Sequence, residues 1–332
     1  MKLAILGCGA WGTALAIAFG ERHDVVLWGR DAAQVEALRA TRQNQHYLPG
    51  ATLPAGVRPS ADLPVAVANA DLILAAVPTN ALRQTLRALK TTVSPGALVW
   101  ACKGFEQASS RLPHQIVQEE IGGAHSCGVL SGPSFAKEVA EGKPAALTLA
   151  SSDGQFARAA AHELHGPRLR VYSSGDVAGV ELGGALKNVI AIAVGVSDGL
   201  ELGSNARAAL ITRGLAEMKR LGVQLGGQPE TFTGLTGLGD LVLTCTGDLS
   251  RNRRVGLALA KGQPLASVLT QLGHVAEGVF TAPEVRRIAA SLNVDMPITE
   301  AVCALLDGRV SAAEAVAELM RRDPKAEQQS MS

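Results

Sequence analysis

The sequence predicts an α/β fold, a doubly wound parallel sheet followed by an all-helical domain, on three observations. Short β-rich runs alternate with helical stretches up to about residue 175. Those runs are apolar almost throughout, as strands covered on both faces must be. Beyond residue 175 the strand signal stops and only helical periodicity continues. The chain has 332 residues, more than one compact core accommodates, so two domains are expected.

The expected strands are Leu3–Leu6, Asp24–Trp28, Leu72–Val77, Ala97–Ala101, Gly128–Leu130 and Ala145–Leu149, with helices between most of them. Helical runs then come at Asp176–Val196, Asn205–Leu221, Arg251–Ala260, Glu277–Leu292 and Ser311–Arg322. The division reads as residues 1–175, residues 176–322 and a polar tail at 323–332.

Hydrophobic residues make up 47% of the chain and charged residues 18%, enough apolar surface for cores and no signature of disorder. The formal net charge of +1 supports neither a nucleic-acid partner nor an anionic membrane surface, since both require a basic surplus. Five cysteines, none at C-x-x-C spacing, argue against a disulfide framework and a zinc site. They place the chain in a reducing compartment, the cytoplasm. His162 and His165 stand three apart but read as an exposed helical face, and no metal is expected. The apolar run Leu3–Gly20 superficially resembles a signal peptide; Gly7, Gly9 and Gly12 interrupt it, and a buried strand then a buried helix explain it better. The run Val189–Val196 is too short to span a bilayer and comes directly after Lys187, so no membrane insertion is expected.

Gly7-Cys8-Gly9-Ala10-Trp11-Gly12 matches G-x-G-x-x-G between a buried strand and an Ala/Leu-rich helix, the context that gives this weak pattern meaning. Gly7 allows the tight turn, Gly9 a close approach of backbone to a pyrophosphate, and Gly12 the packing of helix on strand. The helix N-terminus adds unpaired N–H groups and a positive dipole end. The second strand ends Leu27-Trp28-Gly29-Arg30-Asp31. Arg30 precedes any acid; it is either a surface arginine or the partner of a 2′-phosphate, which favours NADP(H), with NAD(H) tolerated through Asp31.

Further along, Val77-Pro78-Thr79-Asn80 and Ala101-Cys102-Lys103-Gly104 end strands where ligands of open parallel sheets bind; Lys103 is either a solvated loop lysine or, as its place at a strand end favours, a functional group pointing into that crevice. Ser131–Glu138 is a turn and a helix start in which Ser134 serves as N-cap, as ligand contact, or as both. In Glu181–Asn188, Lys187 is a lone cation among Leu186, Val189, Ile190 and Ile192. Burial would lower its pKa and suit it to protonate a carbonyl oxygen; the alternative is a lysine reaching the surface along its stem. Asn188 falls on the Glu181 stripe at about 100° per residue, free to orient a neighbour. Asp240, after Gly237-Leu238-Gly239, is an N-cap or a partner for Lys187 or a substrate hydroxyl. Ser250-Arg251-Asn252-Arg253-Arg254 combines a cap, free amides and a forked guanidinium, a phosphate receptor or a solvated helix end.

Together these residues resemble the bacterial-type NAD(P)-dependent glycerol-3-phosphate dehydrogenases over nearly the whole chain. The resemblance rests on Gly7–Ala16, Lys103-Gly104, Ser131–Ala146, Glu181–Asn188, Thr236–Asp240, Ser250–Arg254 and Val275–Gly278. It implies a Rossmann domain joined to a helical domain like that of 6-phosphogluconate dehydrogenases. The implied reaction is reversible reduction of dihydroxyacetone phosphate to sn-glycerol 3-phosphate, which feeds phospholipid synthesis. By the same resemblance Lys187 is the catalytic acid/base. Lys103, Gly132, Ser134, Asp240, Ser250, Arg251 and Asn252 contact the phosphorylated substrate. Ala10, Trp11, Arg30, Lys103, Ala136, Arg251, Val275 and Glu277 contact the cofactor. Ala10 stands where the family often has Ser, which removes one hydroxyl from the pyrophosphate site. A homodimer is left open. Two other readings remain: a β-hydroxyacid dehydrogenase, needing no phosphate site, and a non-catalytic NADP(H)-binding redox sensor, needing no titratable lysine.

Overall fold

The computed structural model describes residues 1–92, 96–107, 109–122, 126–273 and 275–322. The polar tail expected at 323–332 lies outside them. Among the described residues ten strands occur: β1 Lys2–Leu6, β2 Asp24–Trp28, β3 Gln43–Asn44, β4 Leu48–Thr52, β5 Val57–Ser60, β6 Leu72–Ala75, β7 Ala97–Trp100, β8 Cys127–Ser131, β9 Ala145–Ala150 and β10 Leu169–Ser174. Eight of them form one sheet in the order β10-β9-β8-β7-β6-β1-β2-β5, while β3 and β4 pair separately.

The chain starts at the middle of the sheet, builds outward to β5, then returns to β6 on the other side of β1. This reversal makes the carboxyl ends of β1 and β6 the switch point where ligands of such sheets bind. Strand residues alternate between two cores, which is why the runs are apolar throughout. Leu3, Ile5, Leu72, Leu74 and Val99 enter one. Ala4, Leu6, Ile73, Ala75, Leu98 and Trp100 enter the other.

Within the eight-stranded sheet one pairing departs from the expected parallel pattern: β9 runs antiparallel to β8. The link between them holds only the five-residue helix Ala136–Ala140, so the chain turns back instead of crossing over. β10 then adds parallel to β9.

Among the described residues no strand comes after Ser174. The helix Val177–Gly199 is the axis of the helical domain, buried from Gly179 to Ser197. It is longer than its apolar run suggested, and by length and composition alone it could cross a membrane. Here it is wrapped by protein: Leu182, Val189, Ile192 and Val196 share a core with Met218, Leu221, Val255, Val285 and Val302 of the surrounding helices. Glycine permits the closest of these contacts. A Cβ at Gly256 would fall 2.1 Å from the Ile192 carbonyl oxygen. Helices Gly203–Gln224, Leu265–Leu272, Pro297–Leu306 and Ala312–Met320 also belong to the domain.

Candidate active site

The glycine turn sits at the switch point. Gly7 has φ +121°, its N–H donates to the Trp28 carbonyl at 2.8 Å, and a Cβ would stand 2.8 Å from the Ala76 oxygen. Gly12 seats helix Ala10–Gly20 on the turn, since a Cβ there would fall 1.9 Å from the Gly7 oxygen. At Gly9 nothing lies within 4 Å of the Cβ position. Gly9 also caps the helix without a side-chain hydrogen bond, leaving the first amides, those of Ala10 and Trp11 included, open to an anion. Unobstructed space against free N–H groups fits a pyrophosphate. Trp11 packs against the cluster of Ala14, Leu48 and Val139, as Ala136 does, and its Nε1 is buried without a partner.

Arg30 is exposed at the end of β2. Asp31 is engaged elsewhere: its carboxylate caps helix Ala32–Thr41, accepting from the amides of Ala33 at 2.9 Å and Gln34 at 3.2 Å.

At the end of β7, the Lys103 carbonyl accepts from the Thr79 hydroxyl at 3.1 Å, and the Lys103 ammonium donates to the Gly132 carbonyl at 3.2 Å. The same ammonium pairs with Asp240 Oδ2 at 2.8 Å. The other oxygen of Asp240 accepts from Lys187 Nζ, which also donates to Thr244 Oγ1 at 3.0 Å. One carboxylate, 1% exposed, therefore holds two ammonium groups. Lys187 is itself only 6% exposed, so it does not reach the surface. Burial drives its pKa down to about 7; Asp240 opposes the shift and Lys103 adds to it. Burial alone would raise the Asp240 carboxyl, but the two cations outweigh it and hold it below its ordinary range.

The backbone brings Asp240 there by an unusual route. Leu235–Gly239 forms a turn of π-helix, with Gly239 N–H donating to the Gly234 carbonyl at 3.1 Å, and runs directly into helix Asp240–Thr246. Asp240 is the first helical residue, not the cap. Ser134 is likewise not the cap of its helix. Phe135 holds that position, and the Ser134 hydroxyl turns back to the Gly132 carbonyl at 3.0 Å.

A second group gathers at helix Arg251–Ala260. Ser250 caps it, accepting from the Arg253 amide at 3.2 Å, and Arg251 is exposed in the first turn. Asn252 is buried and largely committed: it donates to Asn188 Oδ1 at 2.8 Å and accepts from the Gly278 amide at 3.0 Å. It ties together the helices that carry Lys187, Arg251 and Glu277. Arg253 does not join the site, being paired with Asp198 at 2.7 Å and Asp248 at 2.9 Å. Glu277 opens helix Glu277–Ser291 beside Gly104, its Oε2 3.8 Å from the Cβ position of that glycine. Burial raises Glu277 to about 7 against the attraction of Arg251. Val275, just before, is exposed.

The structure thus joins Lys103, Gly132, Ser134, Lys187 and Asp240 in one hydrogen-bonded chain. Ser250, Arg251, Asn252 and Glu277 form a neighbouring group, and the glycine turn and Arg30 lie farther along the strand ends. Thr244 was not anticipated; its spacing, four residues after Asp240 on a helix, was the available signal.

A family model described as the NAD-dependent glycerol-3-phosphate dehydrogenase N-terminus matches residues 2–157, and one described as its C-terminus matches residues 176–317. A glycerol-3-phosphate dehydrogenase, NAD(P)+, of Dechloromonas aromatica (strain RCB) is 58% identical over 98% of this chain and 99% of that protein. Its counterpart in Aromatoleum aromaticum is 57% identical over 98% of this chain and all of that protein. The crystal structure of glycerol-3-phosphate dehydrogenase from Coxiella burnetii superposes with a TM-score of 0.92 at 42% identity, covering 97% of this chain and 99% of that one. D-mandelate dehydrogenase, at 14% identity and a TM-score of 0.60, shares the fold. The chain belongs to the NAD(P)-dependent glycerol-3-phosphate dehydrogenase family, an NAD(P)-using oxidoreductase with a Rossmann domain and a helical partner domain.

Proposed function

We propose that this chain catalyses the reversible, NAD(P)H-dependent reduction of dihydroxyacetone phosphate to sn-glycerol 3-phosphate, supplying glycerophospholipid synthesis. The observation that carries this reading is the buried Lys187 ammonium, lowered to about 7 and hydrogen-bonded to Asp240 beside Lys103 at the strand ends. A group with that pKa gives up and regains a proton near neutral pH, as a general acid for a ketone requires.

The nicotinamide dinucleotide supplies the hydride when bound. Its pyrophosphate would be held by the amides of Gly9, Ala10 and Trp11, its 2′-phosphate by Arg30, and its nicotinamide half by Lys103, Ala136, Val275 and Glu277. Arg251 and the free amides after Ser250 receive the substrate phosphate, with Asn252 fixing that helix against Asn188. Lys103, the Gly132 carbonyl and the Ser134 hydroxyl line the wall opposite. Lys187 Nζ donates its proton to the ketone oxygen as charge develops there. Asp240 and Thr244 aim that ammonium, and Asp240 keeps it charged. Phosphate binding remote from the carbonyl orients the ketone and lowers the barrier.

In this reading residues 1–175 bind the dinucleotide and residues 176–322 supply the proton donor and phosphate receptor. The enzyme works in the cytoplasm, without membrane insertion, as a homodimer. NADPH absorbance followed with dihydroxyacetone phosphate, then with NADH, tests the activity. Consumption of cofactor is expected with the phosphorylated ketone and not with unphosphorylated keto acids. Turnover of the keto acids alone would replace this reading with a β-hydroxyacid dehydrogenase, and binding without turnover with a redox sensor. Light scattering checks the dimer.

A further inference from the structure

The carbonyl of Cys8, inside the glycine turn, accepts two side-chain amides from outside it. Gln34 Nε2, on helix Ala32–Thr41, donates at 2.9 Å, and Asn44 Nδ2, on β3, donates at 2.9 Å. Asn44 is 2% exposed and is itself fixed from two further directions. It donates to Thr13 Oγ1 at 2.8 Å, and its Oδ1 accepts from the Tyr47 amide at 3.3 Å. Nothing in the fold of the turn requires this arrangement, since the Gly7 amide is already anchored to Trp28 and the Gly9 carbonyl to the Thr13 amide.

A trans peptide is planar, and its C=O and N–H point to opposite sides. Two donors gripping the Cys8 oxygen therefore fix the direction of the Gly9 N–H, aiming it away from Gln34 and Asn44. That N–H has no acceptor among the described residues. The space about Gly9 is open, and the uncapped helix start lies beside it.

We propose that Gln34 and Asn44 are positioning residues for the dinucleotide. By clamping the Cys8 carbonyl they lock the Cys8–Gly9 peptide with its N–H presented to the pyrophosphate. Without them the peptide rotates among alternatives, and the cofactor must order it on binding. The inference rests on the glycine turn being the pyrophosphate site, and the test separates the two.

The variants are Gln34→Ala, Asn44→Ala and Asn44→Asp; the last sets a carboxylate against the Cys8 oxygen where a donor stood. Gln34 is only partly buried on a helix surface, so its variant folds even if Asn44 variants do not. Binding of NADPH and of adenosine 2′-monophosphate, which lacks the pyrophosphate, is measured by calorimetry, with KM and kcat alongside. A hydrogen bond to a charged group corresponds to roughly a 10-fold or greater effect, so NADPH should bind about 10-fold more weakly in Gln34→Ala and more weakly still in Asn44→Asp. Adenosine 2′-monophosphate should bind as before, the KM for the ketone should stay within about twofold, and the double variant should lose less than the sum. Equal losses for both ligands, or wild-type NADPH affinity in Gln34→Ala, overturn the proposal. Gly9→Ala distinguishes the premise. If it too leaves NADPH binding unchanged, the pyrophosphate lies elsewhere; if it weakens NADPH while the Gln34 and Asn44 variants do not, the turn is the site but the clamp is idle.

Discussion

Replacing Asp240 by Asn removes the charge shared by Lys103 and Lys187 while nearly keeping its shape. Asp240 is the group that raises the Lys187 pKa against burial. Two unit charges about 4 Å apart at an effective dielectric of 20 attract by about 4 kcal/mol. At 1.36 kcal/mol per pKa unit that is about 3 units. Lys103, released from the same carboxylate, can move into solvent and take its repulsion away, leaving a net fall of about 1–2 units. Ketone reduction needs the ammonium form, so activity declines as pH rises through the Lys187 pKa, and that limb should shift from about 7 to lower pH in Asp240→Asn. At neutral pH the protonated fraction drops from about half to between about a tenth and a hundredth, a loss of about 5- to 50-fold in kcat. The assay is kcat for NADPH oxidation across pH 5 to 8, with circular dichroism to confirm folding. Activity should recover toward acid pH, which a merely misfolded variant would not do. An unmoved limb, or one displaced to higher pH, would refute the electrostatic coupling.

The same geometry sets four further outcomes. Lys187→Ala should lower kcat by about 100- to 1000-fold, the usual cost of losing an alkoxide stabiliser, with the Kd for NADPH nearly unchanged by fluorescence titration. Arg251→Ala should raise the KM for dihydroxyacetone phosphate about 10- to 100-fold, as expected for a lost charge-assisted contact, and steady-state kinetics showing an unchanged KM would remove it from phosphate binding. Arg30→Ala should weaken NADPH about 10-fold and leave NADH alone, so the ratio of the two kcat/KM values reports its role. Glu217, buried and capping helix Pro297–Leu306 through the amides of Ile298 at 2.6 Å and Thr299 at 3.3 Å, is raised by burial from 4.5 to about 7. The folded state then binds the extra proton between those values, so stability is greatest below pH 4.5 for this group and falls as pH rises to 7, by up to about 3 kcal/mol. Urea denaturation should show that slope in the wild type and a flatter one in Glu217→Gln.

Legibility in the sequence tracked the balance between local and tertiary causes. The central strands were readable because both faces of β1, β6 and β7 are buried, leaving uninterrupted apolar runs. Edge strands were not: β5 carries Pro59 and β10 carries Arg170 and an exposed Tyr172, as positions with one unpaired side tolerate. The short pair β3–β4 left no periodic trace, so Asn44 went unnoticed although it reaches the glycine turn from 36 residues away. Lys187 stood out as the lone cation in an apolar helix, and Asp240 as its conceivable partner. Thr244 and the Asn188–Asn252–Gly278 bridge did not, because each depends on how helices cross.

The same helix explains why the site has its chemistry. Val177–Gly199 must be apolar along its length because other helices surround it, and that composition is what gives it the look of a membrane span. An ammonium placed in its middle carries a desolvation penalty of several kcal/mol, which an adjacent carboxylate offsets only in part. A residue so placed is neither firmly charged nor firmly neutral, and its pKa comes to rest near 7. Lys103, on the rim with 18% of its side chain exposed, touches the same carboxylate. Two lysines on one Asp240 thus differ in depth, the buried one with its pKa lowered to about 7 and the shallower one reaching the same carboxylate from the rim.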